Sequence, residues 1–264
     1  MLHPEGGLAR LESRPAMSLL PHHRAHDVRA LSAGWNTVAR AAGLRRHLLA
    51  RTDGFEVVWY ESRGSGPACY LSAGVHGDEP AAAWGLLAWA QAHTDWLRER
   101  AAVIIPCLNP HGLSLNTRAD GRGLDLNRRF HLEDDAVCGP WRRVAGSRVW
   151  RLALCLHEDY DGQGAYVYEL GGHRGRMASA PLAAAARHVG IDPRRRIDHS
   201  QARDGIIRRR RMPTHLPGLP EAVVLHQLGC PLTLTFESPS EFGLDPRVQA
   251  QSDFIATALA EFSA

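Results

Sequence analysis

The stretch from residue 68 to residue 108 constrains the fold most. "ACYLSAGV" (68–75) is an apolar run of strand length, and "PAAAWGLLAWAQAHTDWLRER" (80–100) reads as a helix with Pro80 at its favourable first position. "AVIIPCL" (102–108) is a second buried strand. A strand, a helix and a strand in this order make a crossover of the length that parallel pairing requires. Further strands are expected at "FEVVWYE" (55–61), "RLALCL" (151–156) and "PLTLTF" (231–236), and further helices at "APLAAAARHVG" (180–190) and "DPRVQAQSDFIATALAEF" (245–262). Such alternation predicts an α/β sheet covered by helices. A chain of 264 residues suits one large domain, read here as 31–264 behind a loosely packed, Pro- and His-rich arm at 1–30. The long irregular stretches expected at 110–150 and 160–220 are the kind of loop that carries function.

Composition removes several function classes. A formal charge of +3 is too mild for nucleic acid, and no basic stripe is interleaved with aromatics. No uninterrupted apolar run reaches the length of a membrane span, and no signal-peptide pattern opens the chain. The five cysteines form no C-x-x-C pair and read as small buried thiols, so a cytoplasmic location is expected. The oligomeric state is not legible.

In open α/β sheets, ligands gather at the carboxyl ends of strands. Here the expected strands end at His76 followed by Glu79, at Asn109, at His157 and at Glu237. Two histidines and a carboxylate from separate loops are a standard ligand set for a catalytic zinc that keeps one position open to water. His76, Glu79 and His157 are therefore the expected ligands of one zinc per chain, which would bring the pKa of bound water from about 15.7 toward 7. Glu237 is then the expected general base. "DLNRRF" (125–130) sets an amide and a guanidinium side by side at Asn127 and Arg128, a pair suited to clamp a substrate carboxylate. Arg118 is expected to stabilise the developing oxyanion.

"GVHGDE", "NP" at 109–110, "TRADGRGLDLNRRF", "LHEDYD" and "LTFES" follow one another in an order and spacing that resemble the zinc metallocarboxypeptidase family. The compact bacterial members, including the murein-peptide amidases, are the nearest in spacing. The resemblance covers about residues 55–240. It implies a three-layer α/β/α fold with a mixed, mostly parallel central sheet, one zinc, and hydrolysis of an amide next to a free carboxylate, possible substrates including cell-wall peptides. Carried over position by position, it gives His76, Glu79 and His157 the zinc, Arg118 the oxyanion, Asn127 and Arg128 the terminal carboxylate, and Glu237 the base. For the family's mobile tyrosine it leaves Tyr160, Tyr166 and Tyr168 open.

A related group, the succinylglutamate desuccinylase and aspartoacylase deacylases, shares H-x-x-E, "NP" nine residues before an arginine, and "DLNR-x-F". It implies an N-acyl amino acid substrate in place of a peptide. The peptidase is preferred because Arg118 lies ten residues before Arg128 with "GRG" between, and because "HEDYDGQGAYVYE" departs from the H-[NS]-T context expected of a deacylase. A third reading, an inactive binding module, requires loss of a ligand or of the base, and neither is missing. The run "RRRR" at 208–211 falls where this family builds its specificity pocket. It reads as a solvated loop, or as one or two arginines that face the pocket and favour a substrate with extra carboxylates.

Overall fold

The computed structural model describes residues 24–171, 177–209 and 217–261. Its strands are β1 (Arg45–Thr52), β2 (Phe55–Glu61), β3 (Ala68–Ser72), β4 (Ala102–Ile105), β5 (Trp150–Asp159), β6 (Tyr166–Gly171), β7 (Arg196–Ile197), β8 (Ser200–Gln201), β9 (Ile206–Arg209) and β10 (Leu232–Pro239). Eight of them form one sheet in the order β1-β2-β4-β3-β5-β10-β6-β9, and β7 and β8 make a separate hairpin. The centre, β4-β3-β5-β10, is parallel. The pairs β1-β2, β2-β4 and β10-β6 are antiparallel, and β6-β9 is parallel again. This is the mixed sheet implied by the family resemblance.

Helices cover both faces. On one side lie α1 (Val28–Ala42), α2 (Pro80–Ala92), α3 (Thr94–Glu99), α6 (Ser179–Val189) and α8 (Leu244–Glu261). Facing them are Leu71 of β3, Leu152, Leu154 and Leu156 of β5, and Leu234 and Phe236 of β10. Phe236 stacks on Phe254 of α8 at 4.2 Å between ring centroids. On the other side, α5 (Cys138–Gly146) and α7 (Glu221–Gln227) pack against Tyr70, Val103, Ala153 and Cys155. Successive residues of a strand point to opposite faces, so β5 and β10 send residues 153, 155, 157 and 233, 235, 237 to this second side. That parity places His157 and Glu237 on one surface, and the parallel register pairs them directly.

Three differences from the sequence expectations have local causes. The helix expected over 80–100 divides at His93, whose φ of −125° and ψ of 39° leave the helical region. The stretches expected to be irregular contain α4 (Pro110–Leu115), α5, β6 and the β7–β8 hairpin, besides α6, which was expected at 180–190. Of the expected arm at 1–30, residues 1–23 lie outside the described residues, and Ala25 is buried and accepts a hydrogen bond from Trp84 Nε1 at 2.7 Å. Among the described residues, no helix is long and apolar enough to cross a membrane.

Candidate active site

The corner after β3 is built around two glycines. Gly74 has φ +63°, a backbone region that costs glycine nothing, and its carbonyl accepts Asn109 N–H at 2.7 Å. At Gly77 a Cβ would fall 1.9 Å from the Gly112 carbonyl carbon, so only glycine lets the 109–117 segment approach. His76 and Glu79 are thereby pressed under this segment. Glu79 takes the N-cap position of α2 but makes no capping bond. Its carboxylate turns inward instead, one oxygen 2.5 Å from His76 Nδ1 and the other 2.9 Å from His157 Nδ1. The Glu158 backbone N–H adds a contact at 3.2 Å.

All three side chains are nearly inaccessible: His76 is 2 %, Glu79 4 % and His157 3 % exposed. One ligand atom from each lies within 4.8 Å of the others. A single buried carboxylate facing two imidazole nitrogens is a donor set that fits a divalent ion of borderline character, and these residues could hold one. Without such an ion, the electrostatics are those of a histidine-carboxylate cluster. Burial alone lowers the His76 imidazolium, but the Glu79 and Asp125 carboxylates beside it reverse this and lift it to about 9. Glu79 itself is opposed by burial and held well below the usual carboxylate range by the two histidines. The far nitrogen of His76, Nε2, meets Asp125 Oδ1 at 3.1 Å.

Asp125 was quoted within "DLNRRF" yet given no role by sequence reasoning. Its two oxygens serve His76, Arg118 Nη2 at 3.1 Å and the Asn127 N–H at 2.8 Å, so it ties the histidine to the arginine loop. The signal for it was its place two residues before Asn127. A carboxylate that fixes a ligating imidazole is a recurrent second layer of metal sites. Asn109, in contrast, does not face the cleft. Its Oδ1 caps α4 at Gly112 N–H, 2.8 Å, and its Nδ2 holds the Arg118 carbonyl at 3.3 Å.

His76, Glu79, His157, Arg118, Asn127, Arg128 and Glu237 all line one cleft of about 550 Å³. The structure therefore brings together every site residue expected from the sequence. Asn127 Oδ1 is occupied by the Glu221 N–H at 3.1 Å, which leaves its NH₂ group as the part available to a ligand. Arg128 Nη1 donates to the Asn127 carbonyl at 3.0 Å and has no carboxylate partner among the described residues. Glu237 is partly exposed in the cleft. Burial, and after it the Glu79, Asp159 and Asp198 carboxylates, pushes its pKa well above the ordinary value, while His157 pulls the other way. Of the tyrosines, Tyr160 is 69 % exposed and outside the cleft lining, whereas Tyr166 and Tyr168 line it from β6. Arg209 lines it too, and Arg210 and Arg211 lie outside the described residues.

Fold and site together set a buried histidine-glutamate cluster able to hold a metal at the carboxyl ends of a mixed sheet. Residues 65–157 match the family model of the succinylglutamate desuccinylase/aspartoacylase catalytic domain. Murein peptide amidase A of Escherichia coli is 37 % identical over 81 residues, a match that spans 29 % of this chain and 31 % of that relative. A structure described as a candidate metallopeptidase from Shewanella denitrificans superimposes with a TM-score of 0.79 at 23 % identity, covering 90 % of this chain and 91 % of the other. A metallo-carboxypeptidase from Burkholderia cenocepacia gives 0.65 at 16 % identity, with 88 % and 68 % covered. The chain has the carboxypeptidase-like fold.

Proposed function

We propose that residues 31–264 are one catalytic unit of a zinc-dependent hydrolase that removes a C-terminal residue next to a free carboxylate. His76, Glu79 and His157 would hold the zinc. When bound, zinc supplies a Lewis acid that polarises the scissile carbonyl and eases deprotonation of the attacking water. Glu237 accepts that proton and returns it to the leaving amine, a task suited to a carboxylate in register with His157 on the cleft face of the sheet. Arg118, whose Nη1 lies 3.5 Å from Glu79, offers its guanidinium to the oxygen on which charge builds. Asn127 NH₂ and Arg128 receive the terminal carboxylate, and this fixes which bond lies over Glu237. The five free, buried cysteines agree with a cytoplasmic location.

The observation that carries this reading is the Arg128 guanidinium, which has no carboxylate at ion-pair distance among the described residues and shares a cleft with Glu237 and the buried His76-Glu79-His157 cluster. Murein peptide amidase A, the relative matched over 81 residues, supports a peptide substrate of cell-wall type. A second reading, hydrolysis of N-acyl amino acids, is favoured by the deacylase family model over 65–157. Mass-spectrometric profiling of the zinc-loaded protein decides between them. Peptides with free C-termini, their amidated counterparts, murein peptides and N-acyl amino acids are offered in parallel. Turnover of free-acid peptides but not amides supports the carboxypeptidase. Turnover of N-acyl amino acids alone transfers the site to the deacylase reading, and no turnover of any of them leaves a binding module.

A further inference from the structure

Residues 158 and 238 follow His157 and Glu237 on the paired strands β5 and β10, so parity turns them away from the cleft, toward α2 and α8. There Glu158 and Ser238 meet Arg247 and Gln251 of α8, in a layer built mainly from leucine, alanine and phenylalanine. Arg247 Nη1 donates to Glu158 Oε2, and Glu158 Oε1 accepts the Ala81 N–H at the start of α2 at 2.6 Å. Gln251 is 0 % exposed. Its Nε2 donates to the His157 carbonyl at 2.7 Å and to Ser238 Oγ at 3.0 Å, and Ser238 Oγ donates in turn to Glu158 Oε2 at 3.4 Å. One amide group thus holds the main chain of one cleft residue and the neighbour of another.

The orientation of that amide is fixed, because a carbonyl can only accept and the NH₂ group must face His157. Both of its N–H bonds are then spent on the two strand ends, while Gln251 Oε1 is buried with no hydrogen-bond partner among the described residues. An orphaned buried oxygen is unfavourable, and a methionine would fill the same space without one. The helices also make room for this side chain. A Cβ on Gly85 of α2 would fall 2.3 Å from Gln251 Cβ, so a glycine lets α2 lie against α8 here. The sheet itself holds these ends thinly. Pairing of β3 with β5 stops at Ser72 and Cys155, and pairing of β10 with β6 stops at Glu237 and Tyr166. Beyond those points β5 and β10 have only each other, and Pro239 brings no N–H to the end of β10.

We infer that Gln251 is a positioning residue: from behind the sheet it fixes the separation of His157 and Glu237, and with it the place of the attacking water relative to the carboxylate that takes its proton. This rests on the reading of His157 as a metal ligand and Glu237 as the base. Gln251 touches neither the imidazole nor the carboxylate. It acts through the His157 main chain and through Ser238.

The test compares Gln251→Met, which keeps the volume and loses both hydrogen bonds, with Val248→Ala, a loss of packing on the same helix. Each protein is loaded with zinc or with cobalt(II). In Gln251→Met, zinc affinity measured by chelator competition should fall by about tenfold and the visible absorption band of the cobalt(II) protein should shift. On the best substrate of the mass-spectrometric profile, kcat per bound zinc should fall roughly 10-fold with KM within about twofold of wild type. Val248→Ala should lower the melting temperature and leave all of these as in wild type. A Gln251→Met protein that loses only melting temperature overturns the proposal, since the glutamine then merely packs. Should Gln251→Met fail to fold, Ser238→Ala removes the partner beside Glu237 and spares the one at His157. It should lower kcat severalfold without weakening zinc, and an unchanged kcat overturns the proposal. If no substrate is cut, zinc affinity and the cobalt(II) band of Gln251→Met decide, and wild-type values for both overturn it. Wild-type protein that takes up neither metal removes the metal reading and the proposal together, whereas a metal-binding wild type beside an unaltered Gln251→Met removes the proposal alone.

Discussion

The two ends of the parallel strands each carry a concavity, and the two differ in how their charges are met. At the amino ends, Glu61, Arg148 and the first residues of β3 and β4 line a hollow of about 360 Å³. Glu61 there is held by Arg45 at 2.6 Å and by Arg148, whose guanidinium also lies over the Trp59 ring. Every charge in that cluster has a partner. At the carboxyl ends, one carboxylate faces two histidines, and among the described residues Arg128 and Arg209 have no carboxylate at ion-pair distance. Concavity and charge are common to both ends; guanidiniums without a direct ion pair distinguish the carboxyl end, the end proposed to take a ligand.

The largest expected effect is at the histidine-glutamate cluster. Replacing His76, Glu79 or His157 with alanine should reduce zinc from about one per chain to background, measured by atomic emission after dialysis. Stoichiometric zinc in all three variants would dissolve the contrast between the two ends. Next comes Glu237→Gln, which preserves shape but cannot accept a proton. It should lower kcat by roughly 10²- to 10⁴-fold with zinc content and melting temperature unchanged. Near-normal turnover in a zinc-loaded, stable variant ends the proposed role.

Arg128→Ala should raise KM for free-acid substrates by about 10- to 100-fold, and amidating the substrate should reproduce most of that loss in the wild type. An amide cut as fast as the acid removes Arg128 from the clamp. For Asp125→Asn, which weakens the orientation of His76, zinc affinity should fall by about tenfold, as read by competition with a chromogenic chelator. The smallest effect belongs to the opposite end. Glu61→Gln should cost about 1 kcal/mol, roughly 2–4 °C in melting temperature, and leave kcat/KM untouched. Burial opposes ionisation of Glu61, but Arg148 and Arg45 prevail and hold its pKa below the usual value. A depressed carboxylate stabilises the fold at pH above its unfolded pKa of about 4.3, and that contribution fades as pH falls through the folded value. The gap in melting temperature between wild type and variant should therefore narrow on acidification. Lost activity in Glu61→Gln would mean that the two ends are coupled.

His76 and Glu79 were readable because both sit on one short corner, where glycines and a Pro-led helix announce the turn. His157 and Glu237 were readable because apolar runs of strand length led up to them. Asn127 and Arg128 stood out by adjacency and Arg118 by its spacing from them. Strand β6 was harder: "YVYELG" is short, and its cleft-facing tyrosines look like ordinary core residues of an antiparallel strand. Strand β9 was hidden in an arginine run that reads as a solvated loop. Helix α1 and strand β1 escaped because their apolar faces are narrow and mixed with arginines.

Local physics thus established the strand-helix-strand core, the chemical types at each strand end and the ligand set they suggest, since each depends on neighbours in the chain. Parity and packing decided the rest. Arg208 and Arg209 are the same residue in the same run, and only their opposite directions from β9 give one a carboxylate and the other a place in the cleft. Asn109 looked as available as His157 until α4 claimed its side chain. Asp125 acquired its place only when the 109–128 loop closed over the corner at Gly77, where a contact between residues 49 positions apart brings a carboxylate to His76. Such contacts depend on which backbone can approach which, and that is fixed by the packed sheet and its helices, not by any short stretch of chain.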